Sequence, residues 1–132
     1  MKNIFALALA GGLGLILGAS GMSLLQAQTA TPKASLFNNI SEIKDPAMFD
    51  KYRAAVGATQ TAYGVRAIVR NATPVMLSQT QPVTTGTVLI LEFPSMQKLT
   101  DWFNSPAYAA IRPFRENATT GRIFAVEGLP PS

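Results

Sequence analysis

The 132-residue sequence contains no cysteine and no histidine. These two absences exclude disulfide cross-links, thiol nucleophiles and Cys/His zinc sites. They also exclude histidine-ligated haem and every catalytic dyad or triad with an imidazole base. The titratable groups that remain are 11 Lys and Arg, 7 Asp and Glu, and 3 Tyr, and their order along the chain identifies no reaction. Because the carboxylates are few and dispersed, we expect no metal site, and the sequence indicates no cofactor.

The chain also lacks any concentrated block of charge. Its net charge is +4, and the basic residues are scattered without a run of three. Removal of residues 1–27, in which Lys2 is the only charged residue, leaves 10 basic and 7 acidic side chains and a net charge of +3. No basic motif with interleaved aromatic residues is present, so nucleic acid is not an expected partner.

One long uncharged segment lies at the N-terminus. An apolar stretch from Ile4 to Leu17 follows a single lysine and is succeeded by small and polar residues as far as Ala27. This order is typical of a secretory signal peptide, so we predict a signal over residues 1–27 and a periplasmic or secreted bacterial protein. The alternative is an uncleaved membrane anchor, because the 22 residues from Ile4 to Leu25 carry no charge, about the length that a bilayer-crossing helix needs. Seven glycine or serine residues in that span favour the cleaved signal.

The remainder predicts a polar tether at residues 28–34 and a single domain at residues 35–129. Strands are predicted at 35–43, 65–70, 75–77, 87–93 and 122–128, and helices at 46–62, 96–104 and 106–118. This order contains a split βαβ unit and predicts an α+β ferredoxin-like sandwich. Asp45, Ser95 and Ser105 are predicted N-caps of the three helices, because their side chains can accept the free amide bonds of a first turn. Gly64 is the predicted left-handed residue that closes the first helix.

The predicted strands indicate burial on both faces of the sheet. In the strand at 87–93, Val88 and Ile90 occupy one alternation set, while Leu89, Leu91 and Phe93 occupy the other. A chain this short has a single layer of helices, which can cover only one face. We therefore predict a homodimer in which the other face packs against a second copy.

Several blocks of the sequence resemble the family called Domain of Unknown Function 1330. They are the stretch at 45–72, which begins DPAMF, the block EFPSM…WFNSPAYAAIRPFR at 92–115, and the closing FAVEG at 124–128. The resemblance covers most of residues 36–128. Its most specific positions are Pro94, Ser95, Trp102, Ser105, Pro106, Tyr108, Arg112 and Arg115.

The chain departs from the family pattern at two turns. Gly64-Val65 stands where Gly-Gly is usual, and Arg70-Asn71-Ala72 replaces an Arg-Gly-Gly turn. The resemblance implies a dimeric α/β barrel built from ferredoxin-like subunits, and it brings no established activity.

The candidate ligand-binding residues are Arg70, Glu92, Trp102, Asn104, Tyr108, Arg112 and Arg115. A cavity in this fold should open where the sheet meets the helices. Arg70 ends a strand, Asn104 and Tyr108 flank a helix break, and Arg112 follows one turn later. Because exposed backbone amides lie beside these cations, an anionic or carboxylate-bearing ligand is favoured.

Each of these residues also has a structural interpretation. Trp102 is a core anchor or the apolar wall of a site. Arg112 and Arg115 share a helix face. In the functional interpretation they clamp the carboxylate of a ligand; in the structural one they form ion pairs with Glu116 or Glu92. Glu92, which alternates with apolar residues, is the single candidate for a general base.

Two classes of function therefore remain open from the sequence. The first is a small exported protein that binds an organic, possibly anionic, ligand between sheet and helices. The second is a cofactor-independent enzyme resembling the small monooxygenases and isomerases of the same dimeric barrel, which rests on fold analogy alone. A purely structural role in binding a protein partner is a third possibility.

Overall fold

The fold is centred on a four-stranded antiparallel sheet. The computed structural model describes residues 30–81 and 86–132. Its strands are β1 (Ala34–Ile43), β2 (Arg66–Ala72), β3 (Thr87–Phe93) and β4 (Thr119–Glu127). They lie in the order β2-β3-β1-β4, and each neighbouring pair is antiparallel. This is the split βαβ arrangement of a ferredoxin-like α+β fold, as predicted from the sequence.

Three helices pack over one face of this sheet. They are α1 (Pro46–Gln60), α2 (Met96–Phe103) and α3 (Pro106–Ala118), and a 3-10 turn at Thr61–Tyr63 follows α1. Each predicted N-cap is confirmed, because its side chain accepts the backbone N–H three residues later: Asp45 from Met48, Ser95 from Lys98 and Ser105 from Tyr108. Gly64 adopts a φ of 68°, and a Cβ there would lie 2.8 Å from the ring of Pro94, so glycine is required.

The two faces of the sheet are distinguished most clearly along β1. Leu36, Asn38 and Ile40 are buried on the face toward the helices, which we call the inner face. Phe37 lies on the opposite, outer face, where its ring stacks on that of Phe124 with centroids 5.1 Å apart. The apolar residues on both alternation sets of β1 therefore serve two different surfaces.

The core lies between the inner face and the helices. Trp102 and Tyr108 are its largest fully buried side chains. The apolar stripe predicted for the first helix is present, with Phe49 and Tyr52 buried and Val56 packed against them. The core is completed by Ala34, Leu36, Ile40, Leu91, Phe93, Leu99 and Ala118.

Two sequence predictions about strands are wrong. The strand predicted at 75–77 is absent, and Val75 and Leu77 are 83% and 93% exposed. Three apolar residues after Pro74 are too short a run to hold a place in the sheet without a neighbouring strand. The last strand begins at Thr119, three residues earlier than predicted, because that residue already pairs with Ile43 of β1.

The predicted signal over residues 1–27 lies outside the residues that the structure describes. Among residues 30–81 and 86–132, no helix combines the length and the apolar character that crossing a membrane requires.

Candidate functional site

A cavity of about 620 Å³ lies between α1 and the inner face of the sheet. Leu36, Leu89 and Leu91 contribute apolar side chains from the sheet, and Phe49 and Val56 contribute them from α1. Such a volume lies within the range that holds small organic ligands. The fold therefore provides a concave space with both apolar and polar lining, between the sheet and a helix, where the sequence predicted a cavity.

Asn38 is the polar residue of the sheet beneath this cavity. It lies in the middle of β1, between Leu36 and Ile40 on the same alternation set, and only 5% of its surface is exposed. Because successive residues of a strand point to opposite faces, its amide belongs to the inner face and borders the cavity.

An aromatic wall is formed by Trp102, which is 1% exposed and borders the cavity. Its indole N–H donates to the hydroxyl of Thr59 on α1 at 3.0 Å. Its ring lies 4.1 Å from that of Tyr108 and 5.5 Å from that of Phe93, measured between centroids. The indole is thus fixed by a hydrogen bond at one edge and by aromatic packing on its faces.

A polar network lies behind this wall. The hydroxyls of Tyr52 and Tyr108 are 3.2 Å apart, and Tyr52 also borders the cavity. Burial raises the pKa of Tyr52 well above its ordinary value, and the neighbouring Tyr108 raises it further. The positive charge of Arg115, which is 9% exposed, acts in the opposite direction on the pKa of Tyr52. Tyr52 is therefore a neutral phenol at physiological pH.

Charged side chains surround the opening of the cavity. Arg70 and Asn71 reach it from the end of β2, where the pairing with β3 is irregular. Asn71 has a φ of 49°, a left-handed conformation that asparagine tolerates better than most residues. Asp50 and Arg53 of α1 border the opposite side and form an ion pair with an N···O distance of 3.6 Å.

The irregular end of β2 explains the position of Arg70. The register of β2 on β3 shifts between Ala67 and Val69 and again between Val69 and Ala72. Extra residues in one strand of a pair redirect the side chains that follow them. Asn71, which replaces a glycine of the family pattern, adopts the left-handed conformation that glycine would supply there.

Two of the seven predicted ligand-binding residues, Arg70 and Trp102, border the cavity. Tyr108 is fully buried behind Trp102, and Arg115 is buried beside Tyr52. Asn104 is exposed at the C-terminal end of α2, where its backbone N–H caps the helix.

The two remaining candidates form ion pairs away from the cavity. Arg112 Nε lies 3.2 Å from a carboxylate oxygen of Glu116, and its guanidinium covers the ring of Phe103. Glu92 lies on the outer face, where Lys33 and Arg66 approach its carboxylate at 3.1 and 3.2 Å. The hydrogen bond from Lys33 holds the pKa of Glu92 below its ordinary value. The ligand-binding roles proposed for these residues stay predictions.

Sequence reasoning missed six polar or charged residues that border the cavity: Asn38, Asp50, Tyr52, Arg53, Gln60 and Asn71. Asn38 had a recognisable signal, because it is the polar member of an otherwise apolar alternation set in β1. Tyr52 was assigned to the core stripe of α1, which is correct for its ring but omits the hydroxyl at the cavity. Within the described part of the chain, no group of three acidic, histidine or cysteine side chains is placed to hold a metal ion.

These features define a small ferredoxin-like α+β domain with a ligand-sized cavity between its sheet and first helix. The chain belongs to the family described as Domain of unknown function (DUF1330), whose model matches residues 33–129. No curated protein matches the sequence.

Several solved structures share this fold. RPA0582, a protein of unknown function from Rhodopseudomonas palustris, is 17% identical with a TM-score of 0.61 over 83% of this chain and 94% of that one. SnoaB, a cofactor-independent oxygenase from Streptomyces nogalater, is 12% identical with a TM-score of 0.51 over 76% of this chain and 97% of that one. The hydroxynitrile lyase of Passiflora edulis has the same identity and TM-score, over 76% of this chain and 95% of that one. At these identities the similarity shows the fold alone.

Proposed function

We propose that this protein binds a small organic ligand in the cavity between α1 and the inner face of the sheet. The observation that carries the proposal is a cavity of about 620 Å³ whose lining combines apolar side chains of the sheet and α1 with several polar and charged groups. Apolar walls supply most of the binding free energy in such sites, while a small number of polar groups fix the orientation of the ligand. Asn38, Tyr52 and Arg70 are the polar groups suited to that role.

Binding is favoured over catalysis by the chemistry of the cavity lining. The phenol of Tyr52 is held neutral, so it serves as a hydrogen-bonding group and not as a general base. Asp50, the carboxylate at the opening, is ion-paired with Arg53. The phenol of Tyr52 is therefore not poised to abstract a proton from a bound molecule at neutral pH.

The alternative is a cofactor-independent enzyme of the monooxygenase or isomerase type. It is supported by the fold shared with SnoaB, which is described as a cofactor-independent oxygenase, and with a hydroxynitrile lyase. Consumption of a co-purified ligand, or of oxygen in its presence, by the purified protein would favour this alternative over simple binding.

The test of ligand binding compares two alanine-to-phenylalanine variants. Ala67 is half-buried on β2 and borders the cavity, so Ala67→Phe should fill it, whereas the exposed Ala58 of α1 lies outside the lining. Native mass spectrometry of protein purified from its host should show a bound small molecule in the wild type and in Ala58→Phe, but not in Ala67→Phe. Equal occupancy in all three proteins would contradict a ligand site in this cavity.

We also propose that the outer face of the sheet binds a second copy of the chain. The outer face exposes Ile68, Phe124 and Val126 by 45%, 45% and 47%, and Phe37 lies stacked on Phe124. A surface of aromatic and branched side chains is stabilised when it leaves water, and a symmetric dimer covers it with the same residues. Analytical ultracentrifugation of the domain should give the mass of a dimer.

Export is the third part of the proposal. The apolar core from Ile4 to Leu17 and the small residues up to Ala27 support a cleaved signal peptide. N-terminal sequencing of protein from the native host should give Gln28 as the first residue, in a soluble extracytoplasmic fraction. Protein that retains Met1 and sediments with membranes would instead indicate the uncleaved anchor.

A further inference from the structure

Asn38 is an exception among the inward residues of the sheet. It is 95% buried, since 5% of its surface is exposed. No hydrogen bond joins its side-chain amide to another residue within 30–81 and 86–132, yet the amide is not one of the fully buried polar atoms without a partner, which in that part of the chain are Arg112 Nε and Arg115 Nε. The amide is therefore open to the cavity that Asn38 borders, where water or a ligand can bond to it.

The register of the sheet places Asn38 and Arg70 in one transverse row. Asn38 lies opposite Leu89 of β3, and Arg70 lies on the next strand, between the pairs that Val69 and Ala72 make with β3. Neighbouring strands are about 4.8 Å apart, so the two backbones are separated by roughly 10 Å. Asn38, Leu89 and Arg70 all border the cavity. The row therefore carries an amide at one end, an apolar centre and a guanidinium at the other end.

The charge at the Arg70 end is not compensated. No ion pair of Arg70 is present among the described residues, whereas Arg53 across the opening is paired with Asp50. An arginine without a carboxylate partner attracts carboxylates and other oxyanions, which its planar fork can bind through two hydrogen bonds.

We propose that the ligand of this cavity is an elongated amphipathic organic acid. Its neutral hydroxyl or carbonyl group bonds to the amide of Asn38, which can both donate and accept. Its apolar body lies between Leu89, Leu91 and the wall formed by Trp102, and its anionic group pairs with Arg70. This inference rests on the proposed ligand-binding function and specifies the class of molecule that it concerns.

A matched series of naphthalene probes tests this arrangement, with Trp102 as the reporter. Trp102 is the single tryptophan of the chain and borders the cavity, so its fluorescence responds to occupancy. The probes are 6-hydroxy-2-naphthoic acid, 2-naphthoic acid without the hydroxyl, and 2-naphthol without the carboxylate. We expect the hydroxy acid to bind the wild type roughly tenfold more tightly than 2-naphthoic acid, and roughly ten- to a hundredfold more tightly than 2-naphthol.

Two variants assign these preferences to residues. Asn38→Leu should bind the hydroxy acid and 2-naphthoic acid equally, and Arg70→Gln should bind the hydroxy acid and 2-naphthol equally. Their matched controls lie on the outer face of the same strands: Asn39→Leu and Arg66→Gln should keep the wild-type preferences.

The outcomes separate this inference from the proposed function. The amphipathic acid would be overturned if the wild type bound all three probes equally. It would also be overturned if the wild-type preferences survived in both variants. Either result would leave ligand binding itself intact. Absence of binding by every probe up to millimolar concentration would overturn both. Because the comparison of the three probes is made in the wild type, an unstable variant does not remove the test.

Discussion

The two faces of the sheet carry similar apolar residues but differ in what covers them. On the inner face, Leu91 and Phe93 of β3 are 5% and 0% exposed beneath the helices. On the outer face, Ile90 of the same strand lies beside Phe37, with no helix of the described chain over it. An alternation pattern therefore establishes that a face avoids water, but it does not identify the covering element.

A second difference lies within the inner face itself. Around Trp102 and Tyr108 the side chains are sealed by aromatic contacts and by the hydroxyls of Tyr52 and Tyr108. Beside Asn38 and Leu89, the same helix layer leaves an open cavity. Packing close to the density of a crystal is normal for protein interiors, so the cavity beneath α1 is a local departure from that density.

The largest effect is expected from a charge on the inner face. Leu91→Asp would bury a carboxylate in the apolar core without a partner, which should cost more than about 4 kcal/mol in the free energy of unfolding. Because single domains are stable by only about 5–15 kcal/mol, much of the protein should be unfolded. Urea titration followed by circular dichroism measures this, and a loss below about 1 kcal/mol would contradict the assignment of Leu91 to the core.

The adjacent residue provides the matched change on the outer face. Ile90→Asp should leave the domain folded, because the carboxylate points away from the helices, but it should prevent the proposed self-association. We expect a dimer for the wild type and a folded monomer for the variant, by analytical ultracentrifugation and circular dichroism. If the wild type is already monomeric at micromolar concentration, the outer face does not bind a second copy.

A smaller effect separates the sealed region of the inner face from the cavity. Tyr52→Phe removes the hydroxyl that bonds to Tyr108 and interacts with the charge of Arg115, whereas Tyr108→Phe leaves the Tyr52 hydroxyl beside that charge. We expect a loss of about 1–3 kcal/mol for Tyr52→Phe and about 0.5–1.5 kcal/mol for Tyr108→Phe in the free energy of unfolding. Equal losses in urea titrations would indicate that Arg115 does not depend on Tyr52.

The smallest effect concerns Glu92 and its two cations on the outer face. Because the pKa of Glu92 is lowered in the folded state, its ion pairs stabilise the protein above the unfolded pKa. That stabilisation is lost as the pH falls through the lower, folded-state pKa. The melting temperatures of wild type and Glu92→Gln should therefore differ slightly at pH 7 and converge at low pH. A difference that persists at pH 2 would point to packing of the side chain and not to its charge.

Local signals in the sequence predicted most of the fold. The three N-caps are short-range devices, and the strand at 87–93 and the helix at 106–118 have the bounds that the pattern gave. The absence of the strand predicted at 75–77 shows what a local pattern cannot predict. Membership of a sheet depends on a partner strand, which the local sequence does not specify. The early start of β4 has the same origin, because Thr119 is recruited by its pairing with Ile43.

The candidate site was harder to predict than the fold. Arg70 was predicted at a cavity from its place at a strand end, and Trp102 as an apolar wall, and both border the cavity. Arg112 was predicted beside them from helix spacing; its guanidinium lies over the ring of Phe103 and pairs with Glu116 of the same helix, and its ligand-binding role stays a prediction. Which side of a helix meets a cavity depends on the packing of α1 against α3, and one sequence does not contain that information.

The irregular pairing of β2 also affects the tendency of the protein to aggregate at high concentration. Strand β2 forms one edge of the sheet, and an edge of unpaired backbone groups invites strands from other molecules to add to it. Two shifts of register interrupt this edge, and Arg66 and Arg70 place positive charge along it. The distortion that brings Arg70 to the cavity thus also protects the protein against edge-to-edge aggregation, so straightening β2 would cost solubility as well as the position of Arg70.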